Sequence, residues 1–62
     1  GGKNIFVVHN HPSGDTTPST ADKDAANHIR KGAEILDLAL TDFVIVGGGN
    51  SAYYSFYENG RL

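Results

Sequence analysis

The sequence predicts a small α/β domain in which one helix packs on a mixed β-sheet, in the order strand, helix, strand, strand. Three observations carry that expectation. Two β-branched and aromatic runs, Asn4 to His9 and Leu38 to Val46, flank a helical pattern that opens at Ser19. A glycine-rich turn, Gly47-Gly48-Gly49-Asn50, separates the second run from an aromatic segment, Ser51 to Tyr57. The whole is 62 residues, room for one domain that buries only roughly 60% of its unfolded surface.

Asn4-Ile5-Phe6-Val7-Val8-His9 is apolar on both faces, the pattern of a central strand covered on both sides. His9-Asn10-His11 then marks the point where the chain leaves the core. Pro12, Gly14 and Pro18 impose a loop, with Asn10, Ser13 and Asp15 available for local turn bonds. Ser19 suits an N-cap, with Asp22 in the first turn. The helix is expected to run to Ile35 or Leu36 with Ala25, Ile29, Ala33 and Leu36 along its buried stripe. Lys23, Asn27, Arg30, Lys31 and Glu34 face water in that reading. Gly32 either weakens the helix by roughly 1 kcal/mol relative to Ala or marks close packing on the sheet.

Leu38 to Val46 is the second strand, Gly47 to Asn50 a tight turn, and Ser51 to Tyr57 the third strand, ended by Glu58-Asn59-Gly60. If the first two strands pair in parallel, the crossover is right-handed. The final hairpin is antiparallel, hence the mixed sheet. About half of Tyr53, Tyr54, Phe56 and Tyr57 belong in the core. So small a sheet leaves an open edge and an uncovered face, so these residues are not expected to fold alone. Together with the absence of methionine, this suggests a piece of a longer protein.

Composition excludes several classes. There is no cysteine, so neither a disulfide nor a thiolate zinc cage is available, as expected of a cytoplasmic protein. Five Lys+Arg stand against seven Asp+Glu, for a net charge of −2. Beyond Arg30-Lys31 the basic residues are scattered, so the footprint of a nucleic-acid-binding module is lacking. Phe43 to Val46, the longest apolar run, is far short of a membrane span, and no signal peptide opens the chain. Gly47-Gly48-Gly49 follows a strand, but no helix follows it, so phosphate binding is discounted.

The chemistry-bearing stretch is His9 to Asp22. Two histidines two apart on an extended segment point to the same side and offer two nitrogens to one metal. A helix starting at the same cleft brings Asp22 as a third ligand. Three protein ligands and a water describe an open catalytic zinc site. Ser19, one turn before Asp22, is placed to donate a hydrogen bond to an oxyanion, the chemistry being hydrolysis of an amide or similar acyl bond. Each part also has a plainer reading. Ser-x-x-Asp is close to a capping box, and His-x-His is a common polar exit from a strand. The joint occurrence favours the metal. His28 reads as a solvated helix residue, and Asp15 either as an outer-shell partner of a histidine or, more simply, as an Asx-turn residue.

His9, His11, Ser19 and Asp22 resemble the JAMM metalloprotease motif, His-x-His, seven residues, Ser, two residues, Asp. The wording His-Asn-His-Pro-Ser-Gly-Asp is similar to the bacterial RadC-type branch of the JAB/MPN domains, and the likeness continues through Thr41 to Gly47 and Tyr53 to Leu62. It implies part of a cytidine-deaminase-like sandwich, zinc held by His9, His11 and Asp22, and an oxyanion-stabilising Ser19. It also implies a general-base glutamate upstream of His9, where this sequence has none. The 62 residues are therefore expected to be the C-terminal part of the domain. Thr16 stands where a proline is common and Phe43 where that branch often has histidine. The resemblance implies a peptide or isopeptide substrate. The branch's DNA-repair name suggests an alternative, a non-catalytic DNA-associated scaffold.

Overall fold

The computed structural model describes residues 3–49 and 51–62; Asn50, the end of the predicted turn, lies outside them. Four elements follow in the expected order: β1 (Asn4–Asn10), α1 (Thr20–Ile35), β2 (Ala39–Val46) and β3 (Tyr53–Ser55). β1 and β2 pair in parallel across the helical crossover, and β2 and β3 are antiparallel. The sheet is mixed, as the sequence predicts.

Its order is β1-β2-β3, which makes β2 the central strand. The expectation that β1 is covered on both sides is not met among the described residues. Phe6 and Val8 remain 67% and 56% exposed on the face away from the helix. Thr41 is the extra residue of a register shift between Ile5/Leu40 and Phe6/Asp42. Beyond that bulge Val7 lies opposite Phe43 and His9 opposite Ile45. Side chains alternate along a strand, so this register puts His9 on the same face as the core residues Phe43 and Ile45.

The core is compact: Ala26, Phe43, Ile45 and Phe56, with Val7, Ile29 and Tyr54 packed against it. Phe43 and Phe56 meet edge to face at 5.1 Å, and Tyr54 meets Phe56 at 5.5 Å, separations at which aromatic pairs attract beyond their buried area. Phe43 is thus a core residue. The helix stripe is rotated from the one predicted. Asp22, Ala26 and Ala33 are buried and Ile29 packs on the core, whereas Leu36 is 70% exposed. Leu36 is the C-cap, and the chain turns there into a left-handed Asp37 (φ 57°). Leu38 N–H reaches back to Ala33 O at 2.7 Å and Asp37 N–H to Glu34 O at 3.1 Å, a Schellman closure that carries Leu36 away from the sheet.

β3 is shorter than predicted. The chain leaves the sheet after Ser55 because Asp42 gathers the next turn. Its carboxylate accepts Phe43 N–H at 2.7 Å, Tyr57 N–H at 3.0 Å and the Ser55 hydroxyl. Tyr53 and Tyr57 end exposed, Phe56 buried and Tyr54 half-buried, the expected division. Burial alone raises the Asp42 pKa. The bonds from Ser55 and the Tyr57 and Phe43 amides outweigh it and hold the group below its ordinary 3.8. A carboxyl whose folded pKa is depressed adds stability above its unfolded pKa and loses it as pH falls through the folded value. The stability advantage of the wild type over Asp42→Asn is therefore expected at neutral pH, to shrink as pH drops through about 3.8, and to vanish at lower pH. Denaturant titrations of both proteins across that range measure it; a pH-independent difference would refute the account.

Candidate metal centre

Parallel pairing of β1 and β2 brings the N-terminus of α1 back over the end of β1, where His9 and His11 emerge. The ladder continues one residue past the strand, His11 N–H donating to Val46 O at 2.9 Å. Asn10 pairs with Val46, and its side chain lies over Gly48. A Cβ built on Gly48 would fall 2.7 Å from Asn10 Oδ1, and Gly48 has φ +54°. The left-handed backbone favours glycine there, and a larger residue would also have to push the Asn10 side chain aside.

At the helix start Ser19 is the N-cap of a complete capping box. Its hydroxyl accepts Asp22 N–H at 3.1 Å, and its own N–H donates to Asp22 Oδ2 at 2.8 Å. The capping reading and the ligand reading of Ser-x-x-Asp are therefore not alternatives. The box orients a buried carboxylate, and the histidines sit against it. His11 Nε2 lies 3.0 Å from Asp22 Oδ2, and His9 Nε2 lies 3.6 Å from Asp22 Oδ1. The two rings are nearly perpendicular at 5.0 Å. One ligand atom from each of the three residues lies within 4.8 Å of the others. Burial raises the Asp22 pKa, but the Ser19 amide and hydroxyl, with His11 and His9 nearby, bring it below the ordinary value. The carboxylate is the form the site holds.

The donor set fits a metal ion. Zinc bonds of ~2.0–2.2 Å put tetrahedral ligand atoms roughly 3.3–3.5 Å apart; His11 Nε2 at 3.0 Å from Oδ2 and His9 Nε2 at 3.6 Å from Oδ1 lie near that spacing, each histidine facing its own oxygen of Asp22. The hydrogen bonding of His11 points the same way. Its Nδ1 is 2.9 Å from the Asp15 carbonyl oxygen, which can only accept, so Nδ1 carries the proton. In the neutral ring Nε2 then presents a lone pair to a carboxylate oxygen. Two electron-rich atoms at 3.0 Å require a positive charge, either a proton or a metal cation. His9 is half-exposed and His11 and Asp22 largely buried, so the cluster opens to solvent on one side.

Ser19 adjoins the cluster and is exposed. An oxygen that accepts an N–H keeps its own proton, so the capping bond leaves this hydroxyl able to donate. His28 is exposed and, like Glu34 and Glu58, outside the cluster; Glu58 accepts from the Tyr53 hydroxyl. From sequence, Asp15 is either an outer-shell partner of a histidine or an Asx-turn residue. Its side chain does form an Asx turn, accepting Thr17 N–H at 2.9 Å, but the group that orients His11 is its backbone carbonyl. That carbonyl has no residue-type signature.

Known proteins resemble this chain over nearly its whole length. A family model described as the RadC-like JAB domain matches residues 1–61. The chain is 45% identical over 58 residues to UPF0758 proteins of Chlorobium phaeovibrioides and of Escherichia coli K12, the latter YfjY. It is 47% identical over 58 residues to one of Thermotoga maritima. Each alignment covers 94% of this chain but 25%, 35% and 25% of those proteins, respectively, so the chain spans about a quarter to a third of their length.

Gly48→Ala adds both a left-handed alanine and the contact with Asn10, and is expected to destabilise the domain by about 1–2 kcal/mol. Chemical denaturation checks it. An unchanged midpoint would show that the Asn10 side chain is free to move aside and that the glycine is not required.

Proposed function

Because the chain belongs to the RadC-like JAB domain family, we propose that it is the metal-binding part of a zinc-dependent hydrolase acting on amide or isopeptide bonds. His9, His11 and Asp22 hold the ion and Ser19 assists the oxyanion. The observation that carries this reading is the convergence of His9 Nε2 and His11 Nε2 on one buried carboxylate, with the other nitrogen of His11 already engaged. The relatives' names state no activity, so the chemistry rests on the site.

Zinc held by His9, His11 and Asp22 would acidify a water and polarise the scissile carbonyl. The chain's own groups prepare that chemistry. The Asp15 carbonyl keeps the His11 proton on Nδ1. Ser19 N–H fixes the Asp22 carboxylate, with Oδ2 facing His11 and Oδ1 facing His9. The Ser19 hydroxyl donates to the oxygen on which negative charge develops. Glu34 and Glu58 stand outside the cluster, and the JAMM resemblance implies that proton transfer belongs to a glutamate upstream of His9. The DNA-associated alternative is the weaker reading, because a net charge of −2 with scattered basic residues offers no stripe for phosphates.

Elemental analysis and X-ray absorption on the full-length protein test the metal. One zinc per chain with two nitrogen ligands and the remainder oxygen is expected, with His9→Ala and Asp22→Ala each weakening zinc binding by about 100-fold or more. Failure to take up zinc after reconstitution would reduce the three residues to loop and cap roles. Ser19→Ala separates binding from turnover. It should keep zinc, cost about 1 kcal/mol of stability through the lost cap, and lower kcat on a cleavable peptide by about 10²–10³-fold. Full activity in that variant would remove Ser19 from the mechanism.

A further inference from the structure

We propose that Asp15 is a positioning residue for the metal centre, acting through its main-chain carbonyl and not through its charge. The inference rests on the metal-site reading above and deepens it. His11 N–H pairs with Val46 O, which anchors the start of the loop to β2. Gly14 N–H then donates to His11 O at 3.0 Å, and Gly14 turns the chain at φ 87°. Asp15 N–H donates to Ser13 Oγ at 3.3 Å, and Asp15 Oδ1 accepts Thr17 N–H at 2.9 Å. These bonds hold the 14–15 and 16–17 peptide groups, and on the peptide between them the Asp15 carbonyl meets His11 Nδ1 at 2.9 Å.

The consequence is chemical. An imidazole can ligate through either nitrogen, and the hydrogen bond made by one selects the other. A carbonyl acceptor at Nδ1 excludes the tautomer whose lone pair would sit there. It directs Nε2 toward Asp22 and locks the ring about its χ2 axis. The Asp15 carboxylate bonds Thr17, so its contribution is the turn. Asparagine supplies the same Oδ1 acceptor without the charge; alanine supplies none.

The test compares full-length wild type, Asp15→Asn and Asp15→Ala. Asp15 is exposed, so both changes leave the core untouched. Zinc affinity is measured by competition with a chromophoric chelator, and the His11 ring by NMR of metal-free protein, where a hydrogen-bonded Nδ1–H gives a slowly exchanging resonance. Asp15→Ala is expected to weaken zinc binding about 10–100-fold and to lose that resonance. Asp15→Asn should stay within about threefold of wild type and keep it. Wild-type affinity and an intact resonance in Asp15→Ala would overturn the proposal, as would equal losses in both variants, which would assign the effect to charge. If wild type takes up no zinc, the metal reading fails. The resonance then decides the positioning role by itself, its loss in Ala alone upholding it and its retention in both refuting it.

Discussion

Asp22 is tied to the Ser19 backbone before it meets any histidine, and the geometry of the site depends on that tie. The Ser19 N–H to Oδ2 bond and the reciprocal bond from Asp22 N–H to the serine hydroxyl start the helix and aim the carboxylate in one interaction. A carboxylate buried this far is costly unless hydrogen-bonded, so the same contact makes the burial tolerable. Placed at N3, the carboxylate also lies at the positive end of the helix dipole. Helix initiation and ligand placement are therefore one event, and loosening of the first turn of α1 would misplace the oxygen that both imidazoles face.

The buried stripe of α1 leads into this site. Asp22, Ala26, Ile29 and Ala33 share a face, so the contacts that seat the helix on Phe43, Ile45 and Phe56 also set the depth of Asp22. On the strand side, the bulge at Thr41 brings His9 into register with Ile45 on that face. A one-residue slip would turn His9 to the opposite face. The core that enforces these placements is small, and a cation joining β1 to α1 would reinforce it. Binding at a thousand times Kd adds about 4 kcal/mol, a large share of the stability of a small domain. In such a site metal binding and folding are linked quantities.

The other face of the sheet is different in kind. Phe6 and Val8 are exposed there, beside Asp42 and Val44 of β2 in the ladder. Asp42 serves the fold: its carboxylate ends β3 and gathers the turn that presents Phe56 to the core. Two of the depressed aspartates, Asp42 and Asp22, thus serve different purposes, one capping a turn and one facing imidazoles. Their hydrogen-bond partners distinguish them, since backbone amides and a hydroxyl surround Asp42 whereas Asp22 also has two ring nitrogens within reach.

Element order, the mixed sheet, the Ser19 cap and the donor set His9, His11 and Asp22 were legible in the sequence because each depends on near neighbours. Alternation along a strand puts His9 and His11 on one side, three-residue spacing puts Ser19 and Asp22 in one helical turn, and β-branched runs between turn residues make strands. Tertiary structure alone decided that β2 is the central strand, that the buried helix stripe runs through Ala26 instead of Leu36, and that β3 stops at Ser55. It also decided that His11 is held by the Asp15 carbonyl. Those outcomes depend on residues remote in sequence choosing one pairing register, and on backbone groups, which are the same in every residue and leave no mark in the order of side chains.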